Sequence, residues 1–189
     1  AVDKTRISYE KILSRVCGVD VKFAILTFSG CTNMTKAPTI PSSVVSIVAA
    51  FKDCTSLKGW VEINASIPST GDTYTNAAFS GTEQNIAIYG TCNKEILTAI
   101  AEASDNIYMA QLGDMYIDGS IGSKDQTYLQ RMLKGMDGYV TPPLCVADIN
   151  GDGEITEEDG TTLQHYLTKW EDAINVFNAS KEKYWGTGN

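Results

Sequence analysis

Histidine is almost missing from this chain: among 189 residues only His165 carries an imidazole. A serine or cysteine nucleophile that relies on a histidine base is therefore excluded from the amino-terminal half. Zinc is poorly served too. The five cysteines, Cys17, Cys31, Cys54, Cys92 and Cys145, are an odd number and include no closely spaced CxxC pair. They read as free thiols acting as small buried hydrophobes, not as a disulfide framework. No apolar run approaches the roughly 20 residues of a membrane span, and no leader-like stretch opens the chain at AVDKTR, which fits a mature or trimmed chain. Positive charge is short as well, with 15 Lys and Arg against 23 Asp and Glu. A chain without a basic stripe is a poor nucleic-acid binder.

The acid is unevenly placed. Residues 1–110 carry nine basic against ten acidic side chains, a balance of −1, and residues 111–189 carry six against thirteen, a balance of −7. Much of the second figure lies in DINGDGEITEED at 148–159, where side-chain oxygens alternate as they do when a backbone wraps a hard cation. Asp148, Asn150 and Asp152 fill loop positions 1, 3 and 5, and Gly153 takes the sharp turn at 6. The Glu154 carbonyl serves 7, Thr156 holds a water at 9, and Asp159 closes at 12. Calcium, with six to eight oxygen ligands, is the ion that offsets such crowding of like charge.

A second copy lies upstream. In DMYIDGSIGSKD at 114–125, Asp114, Asp118, Gly119, Ile121 and Asp125 precede Asp148, Asp152, Gly153, Ile155 and Asp159 by 34 residues each. Position 3 is Tyr116, so this loop offers only Asp114, Asp118, Asp125 and the Ser120 carbonyl; Gly122 at position 9 leaves room for water. Its calcium site is expected to be the weaker of two. Behind the loops, Leu129, Met132 and Leu133 answer to Leu163, Tyr166 and Leu167, each trio on one helical face.

This duplication resembles the dockerin module, through which proteins of cellulose-degrading assemblies attach to cohesins on scaffoldins. An EF-hand has a helix before the loop and usually closes it with Glu. Here Pro142 and Pro143 oppose a helix before Asp148, and both loops close with Asp. The resemblance implies a calcium-dependent cohesin partner, a scaffoldin or cell-surface anchoring protein, and an extracellular place in a cellulosome engaged in polysaccharide degradation. It also implies docking contacts at Ser123, Lys124, Gln130, Arg131 and Gly135 in the first repeat, and at Glu157, Glu158, Gln164, His165 and Lys169 in the second. The two sets differ in charge, so one docking orientation is expected.

The amino-terminal half repeats in its own way. FSGCTNM at 28–34 and FKDCTSL at 51–57 align without a gap at 23 residues, and Phe79 follows Phe51 by 28. Stacked coils of this period would place Phe28, Phe51 and Phe79 in one ladder and Cys31 and Cys54 in another. With TIPSSVVSI at 39–47, the pattern resembles short bacterial leucine-rich repeats. Residues 7–16 and 93–103, apolar on one face, read as capping helices.

The expected architecture is therefore two domains: a mixed α/β leucine-rich-repeat solenoid over 1–110, and an all-α dockerin with paired calcium loop-helix motifs over 111–189. The expected function is non-catalytic, the dockerin anchoring a protein- or glycan-binding repeat module. The alternative is a small carbohydrate-active or other hydrolytic enzyme using a carboxylate pair such as Glu62 and Asp72. Trp60, Tyr74 and Tyr89 are candidate ligand contacts. In the tail, Trp170, Ala173, Ile174 and Phe177 recur at helical spacing and predict a closing third helix, with Trp185 beyond.

Overall fold

Phe28 stacks on Phe51 with ring centroids 5.4 Å apart, and Phe51 stacks on Phe79 at 5.1 Å. The structure, a computed structural model, describes residues 15–16, 19–71 and 73–186. It divides into two compact units, Ala1–Met109 and Ala110–Asn189. The three rings run through the core of the first, all of them buried.

The repeat spacing works because successive turns hang from one another by their backbones. Ala24, Leu26, Phe28 and Gly30 donate to the carbonyls of Ser46, Val48, Ala50 and Lys52, and Ile47, Ala49, Phe51 and Asp53 donate to those of Tyr74, Asn76, Ala78 and Ser80. Each turn repeats the same left-handed corners. Leu26, Ala49 and Ala77 have φ of 54°, 50° and 54°, and Gly30, Asp53 and Gly81 have 75°, 58° and 77°. At Gly81 a Cβ would lie 2.2 Å from Asp53 Oδ1, so the Asp53 carboxylate would have to turn aside, and the φ of 77° itself favours glycine.

Among the described residues, five short strands lie in this unit. β1 (Arg15–Val16) and β2 (Val19–Asp20) form an antiparallel ribbon. β3 (Gly59–Glu62), β4 (Ile86–Tyr89) and β5 (Ile107–Met109) form a parallel sheet in that order, with Gly59 opposite Ile86 and Ile86 opposite Ile107. The central strand buries Ile86, Ala87 and Ile88 in succession, the apolar run expected of a parallel strand covered on both faces. Between β4 and β5 runs α1 (Lys94–Glu102). The Asn93 side chain caps it by accepting from the Glu95 N–H, and its buried face is Ile96, Leu97, Ile100 and Ala101.

The second unit holds α2 (Ser123–Leu133), α3 (Leu144–Ala147), α4 (Glu157–Leu167) and α5 (Glu171–Trp185). Leu129 of α2 and Leu163 of α4 are fully buried, joined by Leu112, Met115, Val146 and Ile149 from outside those two helices. Tyr166 stacks on Phe177 of α5 at 4.0 Å.

Several expectations need correction. The expected class, a leucine-rich-repeat solenoid followed by an all-α domain, gives way to a small mixed α/β protein with a three-stranded parallel sheet and, among the described residues, five helices. Among the described residues, continuous strand pairing is confined to the β1–β2 ribbon and the three short strands of the parallel sheet, while Phe23 with Ser46 and Ile40 with Ile63 make single parallel bridges. In the second unit, helices of 11, 4, 11 and 15 residues leave nearly half of its described residues outside helix, so "all-α" does not describe it. Of the capping helix expected at 7–16, Arg15–Val16 is strand and the remainder lies outside the described residues. Pro143 does not keep helix away from Asp148: it sits at the N-cap of α3, where a missing N–H costs no helical hydrogen bond. Trp170 is not part of the buried stripe but 57% exposed, stacked on His165 at 3.9 Å.

Candidate functional site: paired acidic loops of the second unit

In the second loop the carboxylates hold the backbone. Asp148 is completely buried; its Oδ1 accepts from the Gly151 N–H at 2.8 Å and its Oδ2 from the Gly153 N–H at 2.9 Å. Asp159, equally buried, accepts from Ile149 and Asn150 on Oδ1 and from Thr156 on Oδ2. The last bond belongs to a capping box in which Thr156 accepts from the Glu158 N–H, so the loop's closing residue also starts α4. Asn150 donates to Asp152 Oδ2 at 2.8 Å, and the Glu154 N–H donates to Asp152 Oδ1.

The first loop repeats that frame. Asp114 Oδ2 accepts from the Gly119 N–H at 3.0 Å, and Asp125 accepts from Tyr116 on Oδ1 and Gly122 on Oδ2. Gly119 and Gly153 share positive φ, 77° and 98°, as do Ile117 and Gly151 two positions before them, at 56° and 79°. The departures gather at positions 3 and 5. Tyr116 is 51% exposed, with the Lys124 ammonium 4.8 Å from its ring centroid. That ammonium makes a 2.8 Å ion pair with Asp118 Oδ2, while Asp118 Oδ1 accepts from the Ser120 N–H and hydroxyl.

Electrostatics separates the buried acids from the more accessible ones. Burial pushes the Asp114, Asp125 and Asp159 carboxyls up, against the downward pull of the N–H groups they accept from. Asp118 is held low chiefly by Lys124, and Asp152 by the Glu154 N–H and Asn150. Among the described residues no group of three or more His, Cys, Asp or Glu side chains is arranged to hold a metal ion. The donor chemistry nevertheless fits calcium: buried carboxylates, an amide and backbone carbonyls are hard oxygen ligands. The second loop fits best. Asp148, Asn150, Asp152, Asp159 and the Glu154 carbonyl would hold the ion there.

One participant escaped sequence reading, the last turn of α5. Lys183 Nζ lies 2.9 Å from the Gly151 carbonyl and 3.6 Å from Asp148 Oδ2, the Tyr184 hydroxyl donates to that same oxygen, and Trp185 Nε1 donates to the Cys145 carbonyl at 2.9 Å. No local motif announces these contacts; the aromatic pair at the end of an amphipathic tail was the only signal.

The ten docking positions implied by resemblance lie on or beside α2 and α4. Nine are exposed, and His165 is half-buried under Trp170. Between these helices a groove of about 260 Å³ is lined by Gln130, Glu157 and Gln164 among others. Gln126 spans it by donating to the Gly160 carbonyl at 2.9 Å. In the first unit Glu62 is engaged by Thr39 and Asn64, and its suggested partner Asp72 lies outside the described residues. Trp60, Tyr74 and Tyr89 are half-buried. Cys31, Cys54 and Cys92 are free thiols, Cys145 is half-buried in α3, and Cys17 lies outside the described residues. Among the described residues no helix is long and apolar enough to cross a membrane. No family model matches the chain, and neither a curated protein nor a solved structure was found to match it.

Proposed function

We propose that the second unit is a calcium-stabilised docking module of dockerin type, whose partner is a cohesin of a scaffoldin or cell-surface anchoring protein. The observation that carries this reading is the recurrence of one hydrogen-bond frame in two loops 34 residues apart, each followed directly by an 11-residue helix with exposed polar positions. A single acidic turn needs no such repetition; a two-fold docking surface does. The second loop takes the tighter ion and the first the weaker, because Tyr116 supplies no side-chain oxygen where Asn150 does. On this reading the chain is a secreted, non-catalytic cellulosome component. Its first unit offers a surface to a protein or plant-polysaccharide ligand. A hydrolytic role draws little support from Glu62, whose carboxylate is already bonded to neighbours.

The test is calorimetric titration of metal-stripped protein with calcium, followed by capture on immobilised cohesins with and without chelator. Asp152→Ala should weaken calcium binding by about tenfold or more, and Asp118→Ala by less, since loss of a ligand carboxylate removes a large share of site charge. Capture that survives chelation, or failure of every cohesin to bind, would reject the docking assignment.

A further inference from the structure

We infer that Lys124 is a tethered cation that competes with calcium for the first loop, and that an entering ion releases its ammonium to the docking surface. This rests on the calcium reading above and deepens it. The ammonium lies 2.8 Å from Asp118 Oδ2 and over the Tyr116 ring, against the two side chains at loop positions 5 and 3. Tyr116 directs no oxygen to an ion from that stance; its ring face attracts the lysine instead. The second loop is arranged differently: its nearby ammonium, Lys183, comes from α5 and lies 3.6 Å from Asp148 Oδ2 at loop position 1, not against positions 3 and 5. There Asn150 and Asp152 bond to each other, and the residue equivalent to Lys124 is Glu158, so no amine from that loop's own helix reaches Asp152.

A divalent ion and an ammonium repel strongly at a few ångströms, so calcium takes Asp118 only when Lys124 leaves it. Lys124 is exposed, its side chain 62% accessible against 23% for Asp118, so the ammonium can leave to water at modest cost. Once free, that charge stands at the start of α2 beside Ser123, on the face implied in docking. Metal occupancy of the first loop is thereby coupled to the charge that the module presents.

Amide resonances read the two loops separately, because Gly119 and Gly153 each donate to the carboxylate at their own loop's first position. Isotope-labelled full chain, stripped of metal, is titrated with calcium chloride as wild type, Lys124→Met and Lys124→Arg. In Lys124→Met the Gly119 midpoint should fall about tenfold in calcium concentration, and the Gly153 midpoint should move by less than about twofold. Lys124→Arg, keeping the charge, should leave Gly119 near its wild-type midpoint. In wild type the Lys124 Cε resonance should shift with the Gly119 midpoint. A Gly119 midpoint that is unchanged or raised in Lys124→Met, a Gly119 amide that never titrates, or an unmoved Cε resonance overturns the inference. A silent Gly153 amide beside a responsive Gly119 would instead remove the calcium assignment of the second loop.

Discussion

The Tyr184 hydroxyl donates to the buried carboxylate of Asp148, 36 residues earlier in the chain. Lys183 and Trp185 make their own bonds to Gly151 and Cys145, so the last turn of α5 latches the second acidic loop at two points and α3, just before it, at a third. Hydrogen bonds to charged groups contribute about 1.5–3 kcal/mol each. Tyr184→Phe should therefore lower the stability of the metal-free second unit by about 1–2 kcal/mol, and deletion of residues 183–189 should lower it further. Urea unfolding followed by tryptophan emission measures both. Unchanged midpoints would mean that α5 closes the unit through Phe177 and Ala173 alone.

In the first unit the weight falls on Phe51, fully buried and sandwiched between Phe28 and Phe79. Phe51→Ala opens a cavity and ends two stacked contacts at once, a cost of about 3–5 kcal/mol. Phe51→Leu keeps most of the volume and should cost less than half of that. Circular dichroism during denaturation should show the first unit unfolding early in Phe51→Ala. A loss below about 1 kcal/mol would show that the neighbouring turns collapse onto the gap.

These two regions differ in how openly the sequence displays them. The Phe ladder and the paired loops were legible because repetition prints the same residue at the same offset, and because a turn at positive φ asks for glycine at Gly119 and Gly153. The α5 latch was not, since Tyr184 and Asp148 meet only when the helix folds back, and nothing local encodes that. Pro143 misled because a proline that ends one helix is equally suited to begin another. Trp170 misled because its spacing matched the buried stripe of α5, yet it stands at the N-cap, where the chain direction changes and the ring turns onto His165. The fold class failed for a related reason: periodicity announces stacked turns but not how many close into strands, which backbone pairing decides.

Metal-free protein should respond to acid in an unusual sense. Burial raises Asp114, Asp125 and Asp159, and a carboxyl whose folded pKa exceeds its unfolded value of about 3.9 stabilises fully below that value and loses its contribution as pH rises through the folded pKa. Asp118 and Asp152, held low, contribute above the unfolded value and lose that contribution as pH falls through their folded pKa. Above about pH 4 the raised group governs the change, so the chelated second unit should melt higher at about pH 5 than at about pH 7. Saturating calcium should reverse the order, because its ligands must be ionised. Thermal melts at both pH values, with and without metal, check the reversal; a chelated unit that melts lower at the acidic value contradicts it.

Docking should use a single orientation. The duplicated loop-helix units are related by an approximate repeat, but the side chains at matching positions break it: Ser123 and Lys124 answer to Glu157 and Glu158, and Arg131 answers to His165. Their settings differ as much as their charges. Arg131 Nη1 donates to the Tyr139 hydroxyl at 2.6 Å, whereas His165 lies flat on Trp170 with 4° between the rings. A cohesin acidic enough to attract Lys124 and Arg131 would repel the glutamate pair, and such juxtaposition costs several kcal/mol, about a hundredfold or more in affinity. Either Lys124→Glu with Arg131→Glu, or Glu157→Lys with Glu158→Lys, should therefore abolish binding while the other pair changes it little. Each double variant is titrated calorimetrically against the cohesin with calcium present. If each pair alone is tolerated and only their combination fails, the module docks both ways, and the charge difference between the repeats does not select the orientation.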